Sequence, residues 1–177
     1  INRNKDMNEI INKLKKQGGY KRRKTRKIRK QKGGQEQTVH ILTVSTEDND
    51  KLQRLIRSAK RYNINIKVLG FNMNTSSLGH NNNAKFGMKL GLPLEYINKV
   101  NENDIILFTD AWDVVYLDTI ENIIKKYKSF NKPIVFGAEL YCWPDSDKAS
   151  LYDTQNEYFK YLNSGLYIGT AGTIKSM

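Results

Sequence analysis

Cysteine, histidine, long apolar runs and, over one stretch, acidic residues are what this sequence is short of. The single cysteine, Cys142, has no partner for an intramolecular disulfide, so nothing requires an oxidising compartment. The two histidines, His40 and His80, stand alone without the spacing of a ligand set, and both are discounted as metal ligands. No run approaches the ~18 apolar residues that a membrane span needs, and the N-terminus lacks the apolar stretch of a signal peptide. The setting expected from these absences is cytoplasmic. The first residue is Ile1 and not Met, which leaves room for an upstream targeting segment.

Acids are nearly missing from the first 37 positions, which carry fourteen Lys or Arg against Asp6, Glu9 and Glu36. That stretch holds +11 of the total formal charge of +12. Residues 38–177 are close to neutral, so the chain divides into a tail, 1–37, and a domain, 38–177. Met7, Ile10, Ile11 and Leu14 line one face of a short helix that Gly18-Gly19 ends. Lys21 to Lys32 packs nine positive charges into twelve residues, and self-repulsion predicts disorder there. One reading of 21–32 is a nucleic-acid or nuclear-import patch, driven by counterion release. The other is a solvated tail, and it is preferred because Tyr20 alone offers a ring on which a base could stack.

What the domain does have is alternation of short apolar runs with helical stripes. Val39 to Val44 is one such run, Leu52, Leu55, Ile56 and Ala59 follow at helical spacing, and Ile64, Ile66 and Val68 alternate. Ile105 to Phe108 and Pro133 to Phe136 are further strands. Between them Ile120, Ile123, Ile124 and Tyr127 mark a helix, with Asp118 as its expected cap and Glu121 as capping-box partner. Leu166 to Ile168 reads as another strand, and Thr173 as the start of another helix. Continuous apolar strands alternating with helices predict an α/β fold with a mostly parallel sheet covered on both faces. The last helix stops at Met177 after barely one turn, so elements completing the fold are expected beyond it.

Ligands of open α/β sheets bind beyond the carboxyl ends of the strands. There the run Ile105-Ile106-Leu107-Phe108-Thr109 leads into Asp110-Ala111-Trp112-Asp113 and then Val114-Val115. Carboxylates between apolar stretches need a compensating cation or donors. Two hard oxygen ligands on a turn suit Mg²⁺ or Mn²⁺ with waters and a diphosphate, and Trp112 offers a face for a nucleobase. The competing reading is a turn or N-cap whose Asp pairs with a lysine. The literal Asp48-Asn49-Asp50 string precedes the Leu52 helix and is assigned to capping.

Several strings occur in the order and at the spacing of one family. They are Leu42-Thr43-Val44-Ser45-Thr46, Ser58-Ala59-Lys60, Lys67-Val68-Leu69-Gly70, Thr109-Asp110-Ala111-Trp112-Asp113-Val114-Val115, Ala138-Glu139-Leu140-Tyr141-Cys142-Trp143-Pro144 and Leu162-Asn163-Ser164-Gly165. Over about residues 39–177 the chain resembles the glycosyltransferase domain of the multifunctional lysyl hydroxylases and related collagen glycosyltransferases. The resemblance implies a GT-A-type, Rossmann-like fold, Mn²⁺ (or Mg²⁺), UDP-glucose or UDP-galactose as donor, and hydroxylysine or galactosyl-hydroxylysine of collagen-like chains as acceptor. It also implies that Asp110 and Asp113 bind the metal, that Trp112 stacks on uracil, and that Val44, Thr46 and Lys85 contact the donor. Glu139, Trp143 and Asn163 match positions near the sugar and acceptor.

Two departures stand out. The family's glycine-rich stretch before its donor-site lysine is here Asn81-Asn82-Asn83-Ala84-Lys85, and its third metal ligand, a histidine, together with an acidic cluster, falls beyond position 177. A fragment with two of three ligands is expected to bind donor weakly. For each acceptor-side residue a plain structural role stays open: Trp143-Pro144 as a packed corner, Asn163 as a turn former, Glu139 as a surface partner of a lysine. Two alternatives of function also stay open. One is a non-catalytic binding module tethered through its basic tail. The other is a transferase acting on a virus-like or microbial glycan, which the abundance of Asn, Lys and Ile would fit.

Overall fold

The structure, a computed structural model, describes residues 37–73, 82–152 and 158–177, and for 82–86 the backbone alone. The predicted basic tail with its short helix, the loop holding His80, and the side chain of Lys85 lie outside the described residues. Residues 37–177 cluster as one unit.

The apolar run Val39–Val44 forms β1, and Asp50–Arg61 forms helix α1. Asn49 caps α1, its side chain accepting from the amides of Lys51 and Leu52 at 3.1 and 3.0 Å. The Asp48-Asn49-Asp50 string is therefore a cap, as its position before the helix predicts. Next come β2 (Lys67–Leu69), helix α2 (Asn82–Ile97), β3 (Ile105–Thr109), helix α3 (Ile120–Ser129), β4 (Ile134–Glu139), a 3₁₀ turn over Ser146–Leu151, β5 (Tyr161–Thr170) and helix α4 (Ala171–Lys175).

The sheet order is β2-β1-β3-β5-β4. β1 is parallel to β2 and β3, whereas β5 is antiparallel to both of its neighbours. The sheet is thus mixed: β2, β1, β3 and β4 run one way and β5 runs against them. Every residue of β3 is buried, as expected of a central strand covered on both faces. Its alternation feeds two cores. Ile105 and Leu107 meet Ile41, Leu55, Ala59, Ile124 and Tyr127 under α1 and α3, while Ile106 and Phe108 meet Leu42, Ile97, Tyr167 and Ala171 on the α2 and α4 face.

Three expectations change. The cap of α3 is Thr119, whose hydroxyl accepts from the Asn122 amide, and Asp118 instead accepts from the Thr119 amide at 2.7 Å and the Asn122 side chain at 2.8 Å. The alternating Ile64, Ile66 and Val68 become strand only at Lys67–Leu69, because β1 offers partners just at Leu42, Thr43 and Val44. Helix α2 was not predicted at all. Gly87, Gly91 and Pro93 speak against a helix in isolation, yet buried Pro93 and Ile97 and half-buried Leu92 and Tyr96 anchor it to the sheet.

His40, at the opposite end of β1 from the strand's carboxyl edge, bonds the Tyr96 hydroxyl at 3.0 Å and the Asp104 carboxylate at 3.1 Å. That is a structural role. Asp104 also accepts from the amides of Thr38 and Asn101. Burial works against its ionisation, but the hydrogen bonds from His40 and those two amides, with the attraction of His40, outweigh it and hold the carboxyl below its usual range.

Candidate functional site

The carboxyl ends of β1, β2, β3 and β4 open on one edge of the sheet, and the antiparallel β5 starts there. Val44 ends β1 and Thr46 follows it, Asp110 follows β3, and Glu139 ends β4. β5 pairs Asn163 with Gly137 and Tyr161 with Glu139. Val44, Thr46, Asp110, Trp112, Asp113, Glu139 and Asn163 thus converge on one edge, with Trp143 four residues beyond β4. Helix α2 sets Lys89 against Asp110 and Tyr96 against His40, so it runs antiparallel to β1. Its first turn, which holds the backbone of Lys85, is directed to the same edge.

Asp110 is held from several directions. Its amide donates to the Gly165 carbonyl at 2.7 Å. Its carboxylate lies so close over Gly165 that a Cβ there would stand 2.8 Å from Oδ2 and 2.9 Å from Oδ1 of Asn163. Asn163 Oδ1 itself accepts from the Gly165 amide at 2.7 Å, leaving the side-chain NH₂ as its free donor group. Lys89 Nζ lies 2.7 Å from Oδ1 and 2.7 Å from Oδ2 of Asp110, with both side chains about a quarter exposed, 28% and 25%. The lysine-paired alternative raised by the sequence is therefore present in the structure. The lysine is Lys89, one turn beyond Lys85.

The bend at 111–113 is stitched to α1. The Arg54 guanidinium donates to the Trp112 carbonyl. Lys51 Nζ sits 4.6 Å from the centroid of the Trp112 ring, a cation–π contact on an indole that is 47% exposed. The Tyr116 amide donates to Ser58 Oγ at 2.9 Å, and Ser58 donates to the Leu55 carbonyl. Burial pushes the Tyr116 hydroxyl up to about 12, slightly opposed by a long contact with Thr109, so it stays protonated. Asp113 is exposed, at the solvent end of this bend.

The far wall follows β4. Cys142 Sγ donates to the Asp145 carbonyl at 3.1 Å, and Asp145 caps the 3₁₀ turn. Trp143 is 62% exposed. The loop after β2 approaches through Asn72, whose amide donates to the Thr46 carbonyl at 3.3 Å. Gly70, at φ +75°, makes that turn in a left-handed conformation suited to glycine, and a Cβ there would meet Leu92 of α2 at 2.8 Å.

A divalent cation suits this donor set. Asp110 and Asp113 are hard oxygen donors, the carboxylate of Asp110 rests in a cradle that only a glycine leaves open, and a cationic ammonium already lies equidistant from both its oxygens. Among the described residues no group of three or more His, Cys, Asp or Glu side chains comes together. Lys89, Lys51 and Arg54 were not singled out by sequence. Lys89 follows Lys85 by one turn once α2 is a helix, but the glycines and Pro93 hid that period.

The sequence profile of the PLOD GT domain matches residues 35–177. The chain belongs to the PLOD GT domain family. It is 38% identical over 136 residues to the procollagen-lysine,2-oxoglutarate 5-dioxygenase of Drosophila melanogaster, covering 75% of this chain and 19% of that protein. It is 35% identical over 133 residues to the multifunctional procollagen lysine hydroxylase and glycosyltransferase of Caenorhabditis elegans, covering 73% and 18%. An uncharacterized protein of Acanthamoeba polyphaga mimivirus is 27% identical over 136 residues, covering 76% of this chain and 30% of that protein. The chain thus spans about a fifth of the length of the two animal relatives. Membership in the PLOD GT domain family agrees with the mixed α/β sheet, and the matched region takes in all the residues gathered at its carboxyl edge. No described helix is long and apolar enough to cross a membrane.

Proposed function

We propose that this chain carries the donor side of a glycosyltransferase site that moves glucose or galactose from a UDP-sugar to a hydroxyl, with hydroxylysine or galactosyl-hydroxylysine of a collagen-like chain as acceptor. The observation that carries the reading is the convergence of Val44, Thr46, Asp110, Asp113, Glu139 and Asn163 on one sheet edge inside a region that matches the PLOD GT domain. The names of the relatives, which include both a procollagen lysine hydroxylase and a glycosyltransferase, support the acceptor class.

Asp110 and Asp113 would hold Mn²⁺ or Mg²⁺, whose contribution when bound is to neutralise the charge growing on the diphosphate as UDP departs. The chain's own residues do the rest. Arg54 and Lys51 keep the bend that carries Trp112 and Asp113 against α1, and Trp112 offers its other face to the uracil ring. Val44 and Thr46 bound the uridine side, and the first turn of α2 brings Lys85 to the phosphate side. Glu139 accepts from sugar hydroxyls and the Asn163 NH₂ donates to them, while the exposed Trp143 indole packs a sugar face.

Transfer from UDP-glucose and UDP-galactose, measured with Mn²⁺ on the full-length protein and its Asp113→Ala variant, tests the reading. A loss of at least about a hundredfold is expected, the scale of losing a stabilising group that acts on developing charge. Turnover unaffected by the substitution would remove Asp113 from the site.

A further inference from the structure

The ion pair between Lys89 and Asp110 has no counterpart among the residues that the resemblance implies. Lys89 Nζ is equidistant from the two carboxylate oxygens, at 2.7 Å from each. The other contacts of Asp110 are rigid: a backbone bond to Gly165, and a close approach to the Gly165 Cα that leaves no space on that side. The lysine, on a flexible four-carbon stem, is the partner free to swing. Its four-carbon stem is about a quarter exposed, and it leaves α2 at the residue whose carbonyl would normally bond the amide of position 93. Pro93 has no such amide.

An ammonium and a divalent ion repel one another strongly at the few ångströms that sharing one carboxylate imposes. Either Lys89 leaves Asp110 or the ion does not enter. Resting on the metal-dependent reading above, we infer that Lys89 is a resident counter-ion of Asp110: it holds the carboxylate aimed before metal arrives, then yields it and turns its ammonium to the diphosphate of the nucleotide. Lys89 is a positioning residue in the first state and a diphosphate ligand in the second. Metal alone displaces the ammonium into solvent, whereas metal together with a nucleoside diphosphate gives that ammonium a new anionic partner. The two ligands are therefore cooperative through this side chain.

Free Mn²⁺, read by electron paramagnetic resonance during titration of the 177-residue chain with and without UDP, tests this without any turnover. Wild type should bind Mn²⁺ weakly alone and more tightly with UDP. Lys89→Met should bind Mn²⁺ alone about tenfold more tightly than wild type and lose most of the gain from UDP. Lys89→Arg should keep the wild-type pattern, and circular dichroism verifies that each variant is folded. If Lys89→Met binds Mn²⁺ as wild type does, or more weakly, while Asp110→Asn abolishes binding, the counter-ion role is overturned and the metal reading stands. If Mn²⁺ binding is absent from wild type, or is unchanged by Asp110→Asn, the metal reading itself fails and the role of Lys89 fails with it.

Discussion

Gly165 is where one hydrogen atom decides whether Asp110 and Asn163 can keep their positions. A methyl group there would stand 2.8 Å from Asp110 Oδ2 and 2.9 Å from Asn163 Oδ1, well inside van der Waals contact, so one of the two side chains must move. Gly165→Ala is expected to weaken Mn²⁺ and UDP binding at least about tenfold while lowering stability by only about 1–3 kcal/mol, the usual range for a small overpacking. Isothermal titration set beside a urea melt separates the two effects. A variant that folds and binds as wild type would show that the carboxylate does not need its present position. In sequence this glycine is one letter of the Leu-Asn-Ser-Gly string, and its steric reason appears only when β5 is laid beside β3.

Helix α1 does more than cover the sheet. Its cap, Asn49, satisfies two free amides, and its first turns carry Lys51 and Arg54 to the bend that holds Trp112 and Asp113. Asn49→Ala should cost about 1 kcal/mol of stability. It should also loosen the bend, seen as faster amide exchange at residues 111–113 than in wild type. An equal loss of stability with no change in exchange at the bend would show that α1 supports the sheet but not the site. The elements themselves divide by legibility. β1, β3 and α3 were legible because their apolar residues repeat at strand or helix period. Helix α2 was not, since Pro93, Gly87 and Gly91 carry poor helix propensity and the packing of Pro93 and Ile97 overrides it. Missing α2 meant missing Lys89.

Across the whole molecule the two ends of the sheet have separate duties: the carboxyl edge gathers the site, and the opposite edge is fastened by Asp104. The Asp104 side chain takes hydrogen bonds from His40 and the amides of Thr38 and Asn101, and its carbonyl accepts from Ala171, so the starts of β1, β3 and α4 meet on one residue. Because its folded carboxyl is held below its usual range, it adds stability that is fully present above the unfolded value, about 3.9, and is lost as pH falls through the lower folded one. Urea midpoints for wild type and Asp104→Asn should therefore differ most near neutrality and converge as pH falls towards 3. A gap between the two that is constant over pH 3–7 would show that Asp104 acts by shape and not by charge.

Read alone, the sequence determined the α/β class, the existence of most strands and helices, a cap within Asp48-Asn49-Asp50, and the family, because each rests on local period or on short strings of residues. It also singled out Asp110 and Asp113, since they follow an apolar strand at the carboxyl end, where open α/β sheets bind ligands. Tertiary structure decided the rest. The reversed direction of β5, the closeness of Gly165 and Asn163 to Asp110, the shift of the α3 cap to Thr119 and the pairing with Lys89 all depend on which elements become neighbours. Neighbours far apart in the chain leave no period in the sequence.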